Sequence, residues 1–378
     1  MEKYFKIYRN FFVYSLVAFV LLGCQSSFGP KTLEKTHPAY NKSISETLSE
    51  QMLLNMVRLR YRETPSFLEI SSVTVSPRIQ TSASLEADID TGPGGNVIQP
   101  GIGVEYSQSP TISYTPLRGE DFLKSVLSAI SLEAILVMTQ SGWSIERVFG
   151  ITMERMNDLY NAPSASGPTP KQEPKRYENF ARSLELFRQF QREGIMEIGP
   201  TLDLDKGSGP GDKSRKLVIL FVPDKRFESE GKEVQSLLSL SVDDDHKVFI
   251  STNFLDKSSN TLHVRVRSIM SVLFYLSQNI KVPDEHKSAG LVTVTRTMDS
   301  DEFNWDDTPA GKYFTVHSSK ERPANAYISV PHQDYWFYIS NDDLETKSSF
   351  LLLQQLFILQ AGQSKAEGPT LTLPVGGR

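Results

Sequence analysis

Cysteine is nearly missing from this chain of 378 residues: Cys24 stands alone. One cysteine makes no internal disulfide and leaves no CxxC pair for metal or redox chemistry. HExxH, GxSxG and P-loop patterns are absent as well, so the usual local signatures of zinc peptidases, serine hydrolases and P-loop nucleotidases are missing. The six histidines, at 37, 246, 263, 286, 317 and 332, never fall at i, i+4 spacing with a third ligand nearby, and neither a metal nor a cofactor is expected. Acidic residues outnumber basic ones by 45 to 40 with no dense Lys/Arg cluster, which argues against a nucleic-acid partner. Beyond residue 22 no apolar run is long enough to cross a bilayer as a helix. There is no internal repeat.

What is present begins with an export signal. Lys3, Lys6 and Arg9 form a basic start, and Phe11 through Leu22 form an apolar core of signal-peptide length. Leu21-Leu22-Gly23-Cys24 then resembles the bacterial lipobox, in which the leader is cut before a cysteine that receives lipid. The resemblance implies a signal peptide over residues 1–23 and acylation, including a palmitate-type chain, at Cys24. More than one acyl chain anchors stably where a single chain binds marginally. Gln25 stands where an aspartate resembles an inner-membrane retention signal, so an outer-membrane location facing the periplasm is expected. Cleavage leaves 355 residues with 37 basic and 44 acidic side chains, a net charge of −7, enough chain for two or more domains.

The period of the apolar residues divides the rest. Residues 24–44 lack periodicity and carry two prolines, as a tether does. Ser45 is placed to cap a helix running to about Arg62. Gly119-Glu120-Asp121 opens a helical region with one helix from Phe122, a second over Leu132–Met138 ending at Gly142, and a third from Ser144 with Met153 and Met156 inward. Another helix spans Tyr177–Arg192 and stops at Gly194. Strands are expected at 216–222, 247–252, 262–266, 313–316, 326–330, 336–340 and 371–375, and helices at 225–240, 268–280 and 344–360. The pattern predicts an α+β chain: an N-terminal helix and long β-hairpin, a central helical region, and a C-terminal mixed α/β region, with a division near 200/201.

The hairpin is the most unusual stretch. From Val73 to Ile89, and again from Ile98 to Tyr114, every second residue is apolar with two exceptions, Thr81 and Gln108. Folding about Gly92-Pro93-Gly94-Gly95 pairs Ile89 with Ile98, Leu85 with Ile102, Ala83 with Val104 and Val75 with Ile112, apolar always meeting apolar. Prolines 77, 100 and 110 point to bulges or unpaired edge positions. Strands of about 17 residues far exceed the usual five or six and suffice to cross a bilayer. Leu85, Ile89, Ile98, Ile102, Val104 and Tyr106 are the candidate assembly residues. Three arrangements are open: the hairpin packs on its own body, it pairs with neighbouring copies or another envelope protein, or several copies close a barrel through the outer membrane.

Seven strings, among them LLNMVRLRYRETPSFLEISSV, QSGWSIERVF, RSIMSVLFYLSQNIKVP and YWFYISNDDLETKSSFLLLQQLFILQAG, resemble a family of bacterial lipoproteins without assigned activity. The resemblance implies the anchor and supplies no catalytic residues. Asp203, Asp205 and Asp212 lie in a glycine-rich loop that lacks the bidentate glutamate of an EF-hand. Asp243–Asp245 and Asp299–Asp307 are acidic runs of the type solvated loops carry, and paired carboxylates for hydrolysis would have to come from different elements. In Tyr335-Trp336-Phe337-Tyr338 a core role is expected for the aromatics. The expectation is a non-enzymatic, lipid-anchored envelope protein with a structural or assembly role; a pore component using residues 73–115, or an envelope hydrolase using the acidic loops, is the alternative.

Overall fold

The structure is a computed structural model and describes residues 28–88, 97–162, 174–202, 215–256, 258–297, 299–361 and 371–374. Cys24 and Ile89 lie outside the described residues, as does the loop bearing Asp203, Asp205 and Asp212. Two compact units divide between Gln51 and Met52. Helix α1 spans Phe28–Arg60 and passes through Pro38, so residues 28–44 are helical where an irregular tether was expected. Lack of an apolar stripe signals lack of packing, not lack of helix. Once nucleated, a helix gains one hydrogen bond per added residue, and Leu33, Glu34 and Lys35 are good helix formers.

In the second unit, Met52, Leu53, Met56 and Val57 at the end of α1 are buried. Arg62 turns the chain in a left-handed conformation (φ 61°). Strands β1 (Phe67–Asp88) and β2 (Val97–Leu117) follow. Three short helices come next, α2 (Glu120–Leu127), α3 (Leu132–Gln140) and α4 (Ile145–Thr152). Ser131 caps α3, accepting from the Ala134 amide at 3.1 Å. Met153 and Met156, expected to continue a helix, instead form β3 (Met153–Met156), joined by β4 (Leu159–Tyr160). A four-residue stretch carries both periods equally well, and pairing with a distant strand decides it. Helix α5 (Pro174–Glu193) buries Phe180, Leu184, Phe187 and Phe190 and ends at Gly194 (φ 69°).

Strand β5 (Met196–Leu202) crosses position 200, where a division was expected, and pairs with β6 (Arg215–Phe221). After a 3-10 turn at Lys225–Phe227 come α6 (Glu228–Leu238), β7 (Lys247–Ser251), β8 (Thr261–Val266), α7 (Ile269–Ser277) and α8 (Asp284–Ser288). Strand β9 (His317–Ser319) lies just beyond the expected 313–316, and β10 (Ala326–His332), β11 (Tyr335–Ser340), α9 (Leu344–Ala361) and β12 (Leu371–Pro374) follow. Three sheets result: β4-β3-β8-β7-β6-β5, β10-β11-β9 and β1-β2-β12. Only β7 and β8 pair in parallel among the described strands. The chain is α+β, as expected.

The hydrophobic core among the described residues runs from Met52 to Ala361, so a chain lacking residues 1–24 retains all of it. Within it sits a guanidinium that pairs with no carboxylate among the described residues. Arg267, 4% exposed, donates to the Met153 carbonyl at 2.8 Å and the Asn161 carbonyl at 3.0 Å, and lies 3.9 Å from the centre of the Tyr275 ring. Tyr275 in turn donates to Asn161 Oδ1 at 3.1 Å, and Asn161 Nδ2 donates to the Gly150 and Met153 carbonyls at 2.7 Å. This network ties the ends of α4 and β3 to α7. Burial holds the guanidinium pKa below its ordinary value.

Candidate functional site

The long strand pair has a defined root. Asn55 on α1 brackets Ser66 with two hydrogen bonds: its Nδ2 donates to the Ser66 carbonyl at 2.7 Å, and its Oδ1 accepts from the Ser66 amide at 2.9 Å. Phe67, the first residue of β1, is 4% exposed. Its ring stacks on Phe357 of α9 with centroids 4.9 Å apart and tilts against Phe122 of α2 at 5.9 Å. Burial then falls away along the strand: Leu68, Ile70 and Val73 are half-buried, while Glu69, Ser71 and Ser72 are exposed. On the return strand Thr111–Tyr114 are half-buried and Thr115 is buried. A bulge between Ile70 and Ser72 marks the departure from the body and adds twist there.

Beyond the bulge β1 and β2 pair without interruption to Asp88 and Val97. Leu85 stands opposite Pro100, Ala83 opposite Ile102, Thr81 opposite Val104, Ile79 opposite Tyr106 and Ala87 opposite Ile98. The register is therefore displaced by two residues from the expected Leu85–Ile102 and Ala83–Val104 pairs, and Ile98 meets Ala87. A slip of two preserves the alternation, so the apolar pattern alone does not separate the two registers. No register shift falls at Pro77, Pro100 or Pro110. In an antiparallel pair every second amide faces outward, and a proline there removes no ladder bond.

The strands are 22 and 21 residues long, about 70 Å at roughly 3.3 Å per residue. β12 extends the sheet at its root, Leu371–Pro374 lying beside Tyr114–Thr111. Among the described residues no strand pairs with the outer edge of β1, nor with β2 outward of Thr111. Such an edge is a row of backbone donors and acceptors able to pair with another chain.

Several of the other candidate groups are otherwise engaged. His286 and His332 converge on Tyr61: the tyrosine hydroxyl lies 2.6 Å from His286 Nδ1, and the His332 ring is edge-on to Tyr61 at 4.9 Å. His332 Nε2 is 3.4 Å from Glu63 Oε1, yet burial outweighs that carboxylate and lowers the imidazole pKa. Arg60 beside them donates to the Thr293 carbonyl at 2.8 Å, and burial lowers its pKa to about 10. In the run Asp299–Asp307, Glu302 pairs with Lys287 at 2.9 Å, Asp306 pairs with Lys281, and Trp305 is buried against Tyr275. Asp243 accepts from Asn260 Nδ2 at 3.1 Å, and Asp245 lies 3.7 Å from Lys247. Among the described residues no group of three His, Cys, Asp or Glu is placed to hold a metal ion. Of the four aromatics at 335–338, Phe337 is buried, while Tyr335, Trp336 and Tyr338 are half-buried, Arg322 lying 5.1 Å over the Trp336 ring. No described helix is long and apolar enough to cross a membrane. Sequence reasoning missed Arg267, Arg60 and Asn55, whose partners are distant in the chain and leave no local pattern.

Comparison with protein-family models, with curated proteins and with solved structures found no match.

Proposed function

We propose that this is a lipid-anchored envelope protein with a structural or assembly role and no catalytic activity, contributing its β1–β2 ribbon to an assembly. The carrying observation is the ribbon itself: two strands of 22 and 21 residues, rooted by Phe67 and Asn55, with the outer edge of β1 unpaired among the described residues. An edge of that length is a liability in a solitary chain and a template in an assembly. The lipobox-like Leu21–Cys24 supports acylation at Cys24 and residence at the outer membrane on the periplasmic side. The partner is a second copy of this chain or another envelope protein. A pore is the second reading, supported by the ribbon's length against a bilayer core of about 30 Å.

Fractionation and sizing test the proposal. The native chain sediments with outer membranes and, after mild extraction, elutes as an assembly, whereas Cys24→Ser is released with its body folded. A native chain that elutes as a monomer overturns the assembly role, and a Cys24→Ser chain still held in the outer membrane overturns the lipid anchor. Conductance in planar bilayers separates the pore from a purely structural assembly. Glycan or peptidoglycan cleavage by residues 25–378, abolished by Asp-to-Asn changes in the acidic loops, overturns the non-enzymatic reading.

A further inference from the structure

A second site lies on the six-stranded sheet, in the body. A cavity of 480 Å³ opens between the end of α5, the end of β6 and the first turns of α6, within the size range of small-molecule sites. Its floor is apolar and deeply buried: Phe190, Ile195, Val234 and Leu240 are each at most 8% exposed. Phe221 and Phe227 form walls, each edge-on to Phe190 with centroids 6.2 and 6.4 Å apart. Backbone bonds brace the frame, Val222 N to the Ile195 carbonyl at 2.8 Å and Phe221 N to the His246 carbonyl at 2.9 Å. The mouth is exposed and polar, with Lys225, Lys232 and His246 around it.

Two features distinguish this cavity from a packing defect. The first is Gly231, in the second turn of α6 and on the cavity wall. Glycine is the least favourable helix residue after proline. The backbone there does not demand it, since its φ lies outside the left-handed range, and a Cβ added to it meets no atom within 4 Å. Neither strain nor crowding requires glycine at this position; what its missing side chain does is leave the cavity unfilled. The second feature is the charge at the mouth. Asp224 is held by Arg226 at 2.7 Å and Glu228 by Lys232 at 2.6 Å. Among the described residues Lys225 has no carboxylate partner. The carboxylates of Asp243 and Asp245 are turned to Asn260 and Lys247 and do not line the cavity. An apolar, phenylalanine-rich interior under an uncompensated ammonium selects a ligand with an apolar body and an anionic head.

The geometry points to a binding site for a single-chain anionic amphiphile, the acyl chain lying on Phe190 and Phe227 and the carboxylate or phosphate head meeting Lys225. The inference does not depend on the ribbon's role. It is tested by thermal unfolding of residues 25–378 with decanoate, 1-decanol and decyltrimethylammonium, each below its micelle concentration. Decanoate raises the midpoint saturably, and the cation does not. Gly231→Leu raises the ligand-free midpoint, because it favours the helix and fills the cavity, yet abolishes the decanoate shift. Lys225→Glu leaves the ligand-free midpoint unchanged and weakens decanoate roughly tenfold, as loss of a charge-assisted contact predicts, with decanol binding unaltered. No saturable shift in the native sequence, or undiminished binding by Gly231→Leu, overturns the site. Decanol or the cation binding as tightly as decanoate overturns the anionic head.

Discussion

If the ribbon is rooted at Phe67 and otherwise serves other chains, charges placed along it and a truncation at its root must act oppositely. Consider Phe67→Ala against the double change Leu85→Asp with Ile102→Asp. Phe67 is 4% exposed and lies between Phe357 and Phe122. Its truncation removes a whole buried ring and leaves a cavity between α2 and α9, a loss of about 3–5 kcal/mol. Leu85 and Ile102 are not a facing pair, being opposite Pro100 and Ala83, so the two aspartates sit on separate rungs and do not simply repel across one. On the assembly reading the double variant leaves the free chain within about 0.5 kcal/mol of the original. Urea unfolding of residues 25–378 measures both: the Phe67→Ala midpoint falls with unchanged m, and the double variant's midpoint does not move. Sizing of the membrane-extracted chain then shows the reverse order of damage, with assembly lost in the double variant. A double variant destabilised by several kcal/mol refutes the reasoning, for its apolar residues would then be packed on the body. So does a Phe67→Ala cost below about 1 kcal/mol, which deprives the ribbon of its root.

Arg267→Leu removes the guanidinium donor from the Asn161 carbonyl and leaves the Met153 carbonyl with the Asn161 side-chain amide alone, and costs about 1–3 kcal/mol in urea unfolding; Arg267→Lys does not rescue it, since one ammonium lacks the planar fork that reaches both carbonyls. A Lys variant as stable as the original shows that charge, not geometry, is what the network needs. His332 has its folded pKa lowered by burial, so the unfolded chain binds its proton first. The stability tied to its neutral form is present above the unfolded value of about 6.5 and is lost as pH falls from there through the lowered folded pKa. Stability measured between pH 7.5 and pH 5 falls with a shallower slope in His332→Gln, and an unchanged slope excludes His332 as a source.

The sequence by itself determined the features that depend on near neighbours. Alternation over Val73–Tyr114 marked a long hairpin, Gly194 the end of α5, Ser144 the start of α4, and the mixture of periods an α+β chain. These are local preferences, in which each residue's own backbone and its few neighbours in the chain settle the outcome. Tertiary structure decided where local preferences tie. Met153–Met156 became a strand because β8 was there to pair with it. The ribbon's register moved by two because alternation is blind to even slips. Residues 28–44 extended a helix that the missing apolar stripe had concealed. Arg267 and the 480 Å³ cavity were beyond the sequence for the same reason. The carbonyls around the one and the walls around the other come from segments tens of residues apart, and the free energy of burying them exists only once those segments have met.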